Sequence, residues 1–133
     1  MTFAELKVDL IVIACAVSAG IHGALVPDHF HEGAGPGIGF VIATVLPAAL
    51  AVVLTRAPSQ HTLLAAVVVF AGLIAAYAVV VVHGLPVLHP EREELDGLAL
   101  FTKAVEAGGL LLAASLVRRP APFTLLHPKG TLT

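Results

Sequence analysis

Four long apolar stretches, at residues 8–26, 38–55, 62–83 and 97–117, constrain the fold of this chain more than any other feature. An α-helix needs about 20 mainly apolar residues to cross a lipid core about 30 Å thick. Each stretch is long enough, and helices satisfy their own backbone hydrogen bonds in lipid, which an open sheet cannot do. The sequence therefore predicts an all-α, polytopic membrane protein, a four-transmembrane-helix bundle with short loops, as one domain over residues 1–133.

The composition excludes most soluble classes of protein. Hydrophobic residues make up 58% of the 133 residues and charged residues 12%, whereas soluble domains contain about 45–50% and about 25%. The mean hydropathy is +0.97, and a soluble domain of this size could not bury so much apolar surface. A net charge of −2 offers no basic surface to nucleic acid. The single cysteine, Cys15, permits no intrachain disulfide, and its apolar neighbours predict an inert, buried thiol.

Proline, glycine and charged residues separate the four spans. We expect Pro27 and the run 32–39 to end the first span, and residues 56–59 to separate the second from the third. Residues 84–90 end the third span, and residues 118–120 close the fourth. The loops between the spans are therefore expected to be short.

The distribution of lysine and arginine predicts the orientation of the spans. One side of the bilayer receives Lys7, Arg56, Arg118, Arg119 and Lys129. Arg92 alone lies on the other side, and Lys103 lies within the fourth span. This bias predicts a multi-pass protein of the cell membrane (a bacterial inner or plasma membrane) with both termini and the tail 118–133 in the cytoplasm. Residues 27–37 and 84–96 then face outward.

Most histidines and carboxylates are predicted to gather at that outer face. The histidines are His22, His29, His31, His83 and His89, and the carboxylates are Asp28, Glu32, Glu91, Glu93, Glu94 and Asp96. Imidazole and carboxylate are ligands that zinc, iron and copper accept. We expect the loop members His31, His89, Glu91, Glu93 and Glu94 to be mainly solvated. His22 and His83 lie just inside the lipid boundary, where an imidazole needs a partner, and both a structural hydrogen bond and a ligand role fit them.

Polar side chains also share one face of the fourth span. Asp96, Lys103 and Glu106 fall within an arc of about 80° at the helical period. Glu106 is ten residues beyond Asp96, hence about 15 Å deeper, where an unpaired carboxylate costs several kcal/mol. Lys103 is its predicted partner at spacing i, i+3, either as a structural ion pair or as part of a site. Tyr77 extends this polar seam if its hydroxyl points the same way. On the first span, a similar stripe comprises Cys15, Ser18 and His22.

The stretch Gly20-Ile21-His22-Gly23-Ala24-Leu25-Val26-Pro27-Asp28-His29 resembles an uncharacterised family of small four-helix membrane proteins of actinobacterial type. In that family a first-helix histidine is followed five residues later by Pro-Asp/Glu-His. The resemblance extends to Gly84-Leu85-Pro86 after the third span and to Asp96 and Glu106 in the fourth, and covers residues 15–117. It implies the four-helix topology and no activity. Lys103 and the pairing of His29 with His31 depart from the pattern.

A membrane protein that binds, moves or delivers a transition metal ion (zinc, copper or iron) is the first functional hypothesis. The predicted metal ligands are His22, Asp28, His29, His31, Glu32, Asp96 and Glu106. The cytoplasmic half of the spans is almost wholly apolar, so binding is favoured over conduction. Haem b, with His22 and His83 as axial ligands, is an alternative cofactor.

Two further hypotheses do not depend on metal binding as the main function. The chain could be an accessory subunit of a larger membrane complex or a homo-oligomer, because its tiny loops leave most of its surface in lipid or against partners. An enzyme is the weakest hypothesis, since the chain has no Gly-rich phosphate loop, no serine nucleophile elbow and no CxxC motif. A membrane metal enzyme with Glu106 or Asp28 as general base remains open.

Overall fold

The computed structural model describes residues 1–88 and 90–118. Four helices form within them: α1 at Phe3–Glu32, α2 at Ala34–Arg56, α3 at Gln60–Val82 and α4 at Gly97–Leu116. Each is long and apolar enough to cross a membrane. The predicted all-α bundle of four membrane-spanning helices is therefore confirmed. His89 and the predicted tail beyond residue 118, with Arg119 and Lys129, lie outside the described residues.

The helices form a square in which each one packs against its two neighbours. α1 contacts α2 and α4, and α3 contacts the same two helices. Consecutive helices run antiparallel, because the first two connections have one and three residues and Gln60 at the start of α3 contacts Leu116 at the end of α4. We call the end of the bundle with Gly33 and residues 83–88 and 90–96 the site end, and the end with Phe3 and residues 57–59 the terminal end. Of the four adjacent pairs, α2 and α3 contact each other least.

Helix α1 runs through Pro27 and ends at Glu32, so the predicted break at Pro27 is wrong. Proline is tolerated inside membrane helices because neighbouring groups satisfy the carbonyl that it leaves free. Gly33 alone separates α1 from α2, with φ 155° and ψ 166°, a conformation that is essentially confined to glycine. Pro36 falls in the first turn of α2, where a backbone N–H has no helical partner to lose.

Side-chain caps explain where three helices begin. The Thr2 hydroxyl accepts from the backbone N–H of Glu5, whose carboxylate accepts from the Thr2 N–H in return. Ser59 caps α3 in the same reciprocal way. The Asp96 carboxylate accepts from the backbone N–H of Ala99 at 2.7 Å and so caps α4. Each cap satisfies backbone donors that the first turn of a helix leaves without a partner.

The terminal half of the bundle holds the apolar core. Its fully buried members include Ile11, Leu54, Ala66, Phe70 and Ala113. Many large apolar side chains point outward instead, among them Leu111, which is 71% exposed. In water such a surface would aggregate, so the exposed apolar surface suits a lipid environment.

Two glycines admit close neighbours and two do not. A Cβ at Gly109 would lie 2.6 Å from the ring of Phe70, and one at Gly23 would lie 3.2 Å from the Thr44 side chain. Both are close-packing positions. At Gly20 and Gly108 a Cβ would meet no described atom within 4 Å, so neither is a close-packing position.

Candidate functional site

A cavity of about 620 Å³ opens at the site end and is lined by all four helices. The two connections at this end converge over it, since the backbone of Val87 packs directly on Gly35 at the start of α2. Its mouth is lined by two carboxylates near the end of α1, Asp28 and Glu32, and by two that precede α4, Glu93 and Asp96. Further polar lining comes from His22, His29, Tyr77, Thr102 and Lys103. The cavity is thus lined by five of the seven predicted metal ligands: His22, Asp28, His29, Glu32 and Asp96.

A buried ion pair forms the floor of the cavity. The ammonium Nζ of Lys103 lies 2.5 Å from Oε2 of Glu106, and Glu106 is 0% exposed. The hydroxyl of Ser18 on α1 donates to Oε1 of Glu106 at 2.8 Å. Both carboxylate oxygens therefore have donors, which a charge at this depth requires. The spacing i, i+3 predicts the partner Lys103, whereas the contact with Ser18 depends on how α1 packs against α4.

His22 lies above Ser18 with a defined tautomer. Its Nδ1 is 2.8 Å from the carbonyl oxygen of Ser18, and because a carbonyl only accepts, Nδ1 carries the proton. The other ring nitrogen, Nε2, is then an acceptor in the neutral imidazole. The distance from Nδ1 to Oε1 of Glu106 is 3.9 Å, too long for a hydrogen bond. His22 is buried and lines the cavity.

His29 adopts the same arrangement two turns further along α1. Its Nδ1 donates to the carbonyl of Leu25 at 2.9 Å. The ring stacks on Phe40 of α2, with 3.4 Å between centroids and 18° between planes. His22 also contacts Phe40, at 5.5 Å between centroids. Phe40 thus fixes both imidazoles against one wall, a role that no local sequence pattern indicates.

The ring of Tyr77 on α3 contacts the Lys103 ammonium. The Lys103 ammonium lies over that ring, 5.3 Å from its centroid, and Nζ also donates to the Leu73 carbonyl at 3.4 Å. The Tyr77 hydroxyl is the one buried side-chain polar atom without a hydrogen-bond partner in the part of the chain that the structure describes. Such an orphan is rare in native proteins and indicates a group that something else satisfies.

Two acids at the mouth, Glu93 and Asp96, make contacts that the sequence does not predict. Glu93 is half-buried and lines the cavity, so the expectation that it is merely solvated is wrong. The chain before α4 folds back at Glu93, whose N–H donates to the Val80 carbonyl at 3.4 Å, and this bond draws Glu93 inward. Asp96 lines the cavity and also caps α4. Its neighbour Glu94 is exposed and does not line the cavity, as expected.

Several predicted ligands lie elsewhere. His31 is exposed and does not line the cavity. His83 is an exposed residue at the C-terminal cap of α3, outside the cavity that His22 lines. Glu106 lies beneath the lining, held by Lys103. Among residues 1–88 and 90–118, no three His, Cys, Asp or Glu side chains converge closely enough to hold a metal ion.

Comparison of the chain with known protein families, curated proteins and solved structures finds no significant match in any of the three.

Proposed function

We propose that this multi-pass membrane protein binds a cation in the cavity at the site end. Charge carries the proposal: four carboxylates line the cavity, and Lys103 is the one Lys or Arg among its described lining residues. The Lys103 ammonium is already engaged by Glu106 beneath it. A recess lined by one sign of charge between low-dielectric walls concentrates the opposite ion. The mouth is therefore expected to attract a cation from the aqueous side.

A divalent transition metal ion (zinc, copper or iron) is the cation that these side chains favour. Imidazole nitrogens of His22 and His29 and carboxylates of Asp28 and Asp96 are donors that such ions accept. Each imidazole donates its Nδ1 proton to a backbone carbonyl, the outer contact that metal-binding histidines usually make. Because no three ligating side chains converge in the described residues, we expect water to complete the coordination sphere and the ion to exchange readily.

Binding without conduction follows from what lies below the cavity. The Glu106 carboxylate and Ser18 hydroxyl close the floor by hydrogen bonding to each other. Beneath them lies the apolar core, where Ile11 and Phe70 are 0% exposed. Within the described residues no row of polar side chains continues toward the terminal end. An ion that enters the mouth therefore leaves by the same route.

The Lys/Arg distribution supports an outward orientation of this mouth. Lys7, Arg56 and Arg118 lie at the terminal end, and Arg92 lies at the site end. The positive-inside rule then places the terminal end in the cytoplasm and the cavity on the outer side of a bacterial inner or plasma membrane. The ligand is accordingly a cation of the external medium.

Two adjacent glutamates provide the test. Glu93 lines the cavity, whereas Glu94 is exposed beside it, so Glu93→Gln and Glu94→Gln remove the same charge from different places. Isothermal titration of the detergent-purified protein with ZnCl₂, CaCl₂ and tetramethylammonium chloride measures the affinity. We expect saturable Zn²⁺ binding, weakened roughly tenfold, about 1.4 kcal/mol, by Glu93→Gln. Glu94→Gln should leave the affinity within about twofold of the parent.

Absence of saturable binding of all three cations would overturn the proposal. Equal weakening by both variants would show that binding reflects surface charge rather than the cavity. Preference for tetramethylammonium over Zn²⁺ would keep a cation site but exclude a metal ligand. Liposomes that carry the protein and release trapped Zn²⁺ faster than empty liposomes would contradict binding without conduction.

A further inference from the structure

The cavity also reaches the lipid-facing side of the bundle. Between α2 and α3, the pair of neighbouring helices with the fewest contacts, it is lined by Ile42, Leu46, Val68 and Gly72. All four residues are exposed, Val68 to 64%. A residue that borders a cavity and the outer surface together lies at an opening. The cavity therefore opens sideways as well as at the site end.

The side opening lies at the level of lipid tails. Gly72 is ten residues from the end of α3 at Val82, which is about 15 Å along the helix, and Leu46 is about 18 Å from the start of α2. Half of a typical hydrocarbon core is also about 15 Å. The opening thus meets the middle of the bilayer, and its apolar rim has no polar group to offer water. A molecule that uses it must dissolve in lipid.

Inside this opening the cavity presents hydrogen-bond donors. The buried Tyr77 hydroxyl has no hydrogen-bond partner among the described residues. The Lys103 ammonium uses two acceptors, the Glu106 carboxylate and the Leu73 carbonyl, and so keeps a third N–H for the cavity that it lines. Tyr77 and Lys103 lie about 8–9 Å from the site ends of their helices, above the side opening. An occupant with its tail in the opening would place its head beside these two donors.

The charges around Tyr77 and Lys103 determine which polar head group of a bound molecule fits there. A quaternary ammonium head has no acceptor for these donors, and the Lys103 ammonium already lies over the Tyr77 ring face that would attract it. An anionic head would meet the four carboxylates of the mouth and a lysine whose charge Glu106 has neutralised. An uncharged head that accepts hydrogen bonds meets neither obstacle. It can take one bond from the Tyr77 hydroxyl and one from Lys103.

We propose that the cavity takes up from the bilayer an uncharged lipid-soluble molecule with a carbonyl head and an apolar tail, the chemistry of an isoprenoid quinone. The head would lie at Tyr77 and Lys103, and the tail would pass between α2 and α3. This binding site is separate from the cation site at the mouth, and neither depends on the other. A neutral glycerolipid ester shares the carbonyl head, so the test distinguishes the two sources.

Two glycines at equal depth allow a matched test. A Cβ at Gly72, on the rim of the side opening, would meet no atom within 4 Å, and the same holds for Gly108 on α4, which does not line the cavity. Gly108 is about 16 Å from the start of α4, close to the depth of Gly72. Gly72→Phe should plug the opening without strain, and Gly108→Phe should add the same ring to a lipid-facing surface. Tyr77→Phe removes the hydroxyl alone.

The measurement is the thermal unfolding midpoint, Tm, of the protein in phosphatidylcholine nanodiscs, followed by circular dichroism. Four probes are compared at equal concentration: a decyl-substituted benzoquinone, dioctanoylglycerol, decyltrimethylammonium and decanoate. We expect the quinone to raise Tm by about 3 °C or more, because a ligand that binds only the folded state stabilises it. The shift should vanish in Gly72→Phe, fall by more than half in Tyr77→Phe and persist in Gly108→Phe. Reaction of the quinone with the thiol is excluded because Cys15 is fully buried.

Equal shifts from all four probes would overturn the inference, since they would reflect partition into the bilayer. A quinone shift unchanged in Gly72→Phe would also overturn it, as would a shift from decyltrimethylammonium alone. A shift from dioctanoylglycerol and none from the quinone would assign the site to a glycerolipid. If Gly72→Phe lacks native helix content, Gly72→Leu replaces it. Loss of Zn²⁺ binding with an intact quinone shift would contradict the cation site and leave this inference standing.

Discussion

The ammonium of Lys103 and the carboxylate of Glu106 lie 2.5 Å apart on one turn of α4, and the carboxylate is completely buried. A charge pair at this depth is stable only because every charged oxygen also has a donor. The Ser18 hydroxyl supplies the second donor from α1. The pair therefore ties two helices together and separates the polar cavity from the apolar half of the bundle.

Removal of one member of this pair should be more harmful than removal of both. Glu106→Gln leaves the Lys103 ammonium buried without its counter-charge, which we expect to lower the free energy of unfolding by about 3–5 kcal/mol. In the double variant Lys103→Met/Glu106→Gln no charge remains, and the amide that replaces the carboxylate can still accept from the Ser18 hydroxyl. We expect it to recover at least half of the loss. Unfolding in mixed micelles with increasing dodecyl sulfate measures all three proteins, and a double variant less stable than Glu106→Gln would contradict this account.

Adjacent glycines on α4 should respond in opposite ways to alanine. A Cβ at Gly109 would lie 2.6 Å from the Phe70 ring and 3.1 Å from the Ala14 Cβ, whereas one at Gly108 meets nothing within 4 Å. We expect Gly109→Ala to destabilise the protein by about 1–3 kcal/mol through overpacking. Gly108→Ala should be neutral or stabilise by up to about 1 kcal/mol, because alanine is the better helix former. The same unfolding assay checks both, and equal effects would mean that α3 and α4 do not pack as described.

Two substitutions of Asp96 should separate its role as a helix cap from its role in the cavity. It caps α4 through the Ala99 N–H and contributes a carboxylate to the cavity. Asparagine caps helices as well as aspartate, whereas alanine costs about 1 kcal/mol at this position. We expect Asp96→Asn to weaken Zn²⁺ binding with unchanged stability, and Asp96→Ala to lower both. Calorimetric titration and chemical unfolding of the same samples measure the two effects, and full Zn²⁺ affinity in Asp96→Asn would remove Asp96 from the cation site.

Labelling from outside the cell should reach the site end. Cys15 is the one cysteine and is 0% exposed, so Cys15→Ala provides a background without a reactive thiol. Glu94→Cys and His61→Cys then place single thiols at exposed positions at opposite ends of the bundle. We expect a membrane-impermeant maleimide to label Glu94→Cys in intact cells and His61→Cys only after lysis. The reverse pattern would place the cavity in the cytoplasm.

The sequence predicts what depends on neighbours along the chain. Four apolar stretches of sufficient length specify the helices, and the spacing of Lys103 and Glu106 specifies their contact. Contacts between helices depend on rotation and packing, which periodicity does not determine. The Ser18 bond to Glu106 and the stacking of Phe40 on His29 are of this kind. Ser18 could have been suspected, because it shares a helical stripe with His22.

Rules derived from soluble proteins account for two of the wrong expectations. Pro27 would end a helix in water, yet α1 continues to Glu32, because a membrane helix has no competing hydrogen bonds from solvent. The sequence around Glu93 is typical of a solvated loop, yet the hydrogen bond from its backbone to Val80 turns Glu93 toward the cavity. Neither outcome follows from the local sequence. Both affect the site: the longer α1 extends the wall of the cavity, and Glu93 adds a carboxylate to its mouth.

The most direct test of cation binding inside the cavity uses Tyr77, the single tyrosine of the chain. Incorporation of 3-fluorotyrosine gives one ¹⁹F signal from a residue that lines the cavity. If a cation binds there, paramagnetic Mn²⁺ should broaden this signal at concentrations below that of the protein. Zn²⁺ should reverse the broadening, and Glu93→Gln should reduce it while Glu94→Gln does not. A line width that stays constant up to millimolar Mn²⁺ would contradict the account.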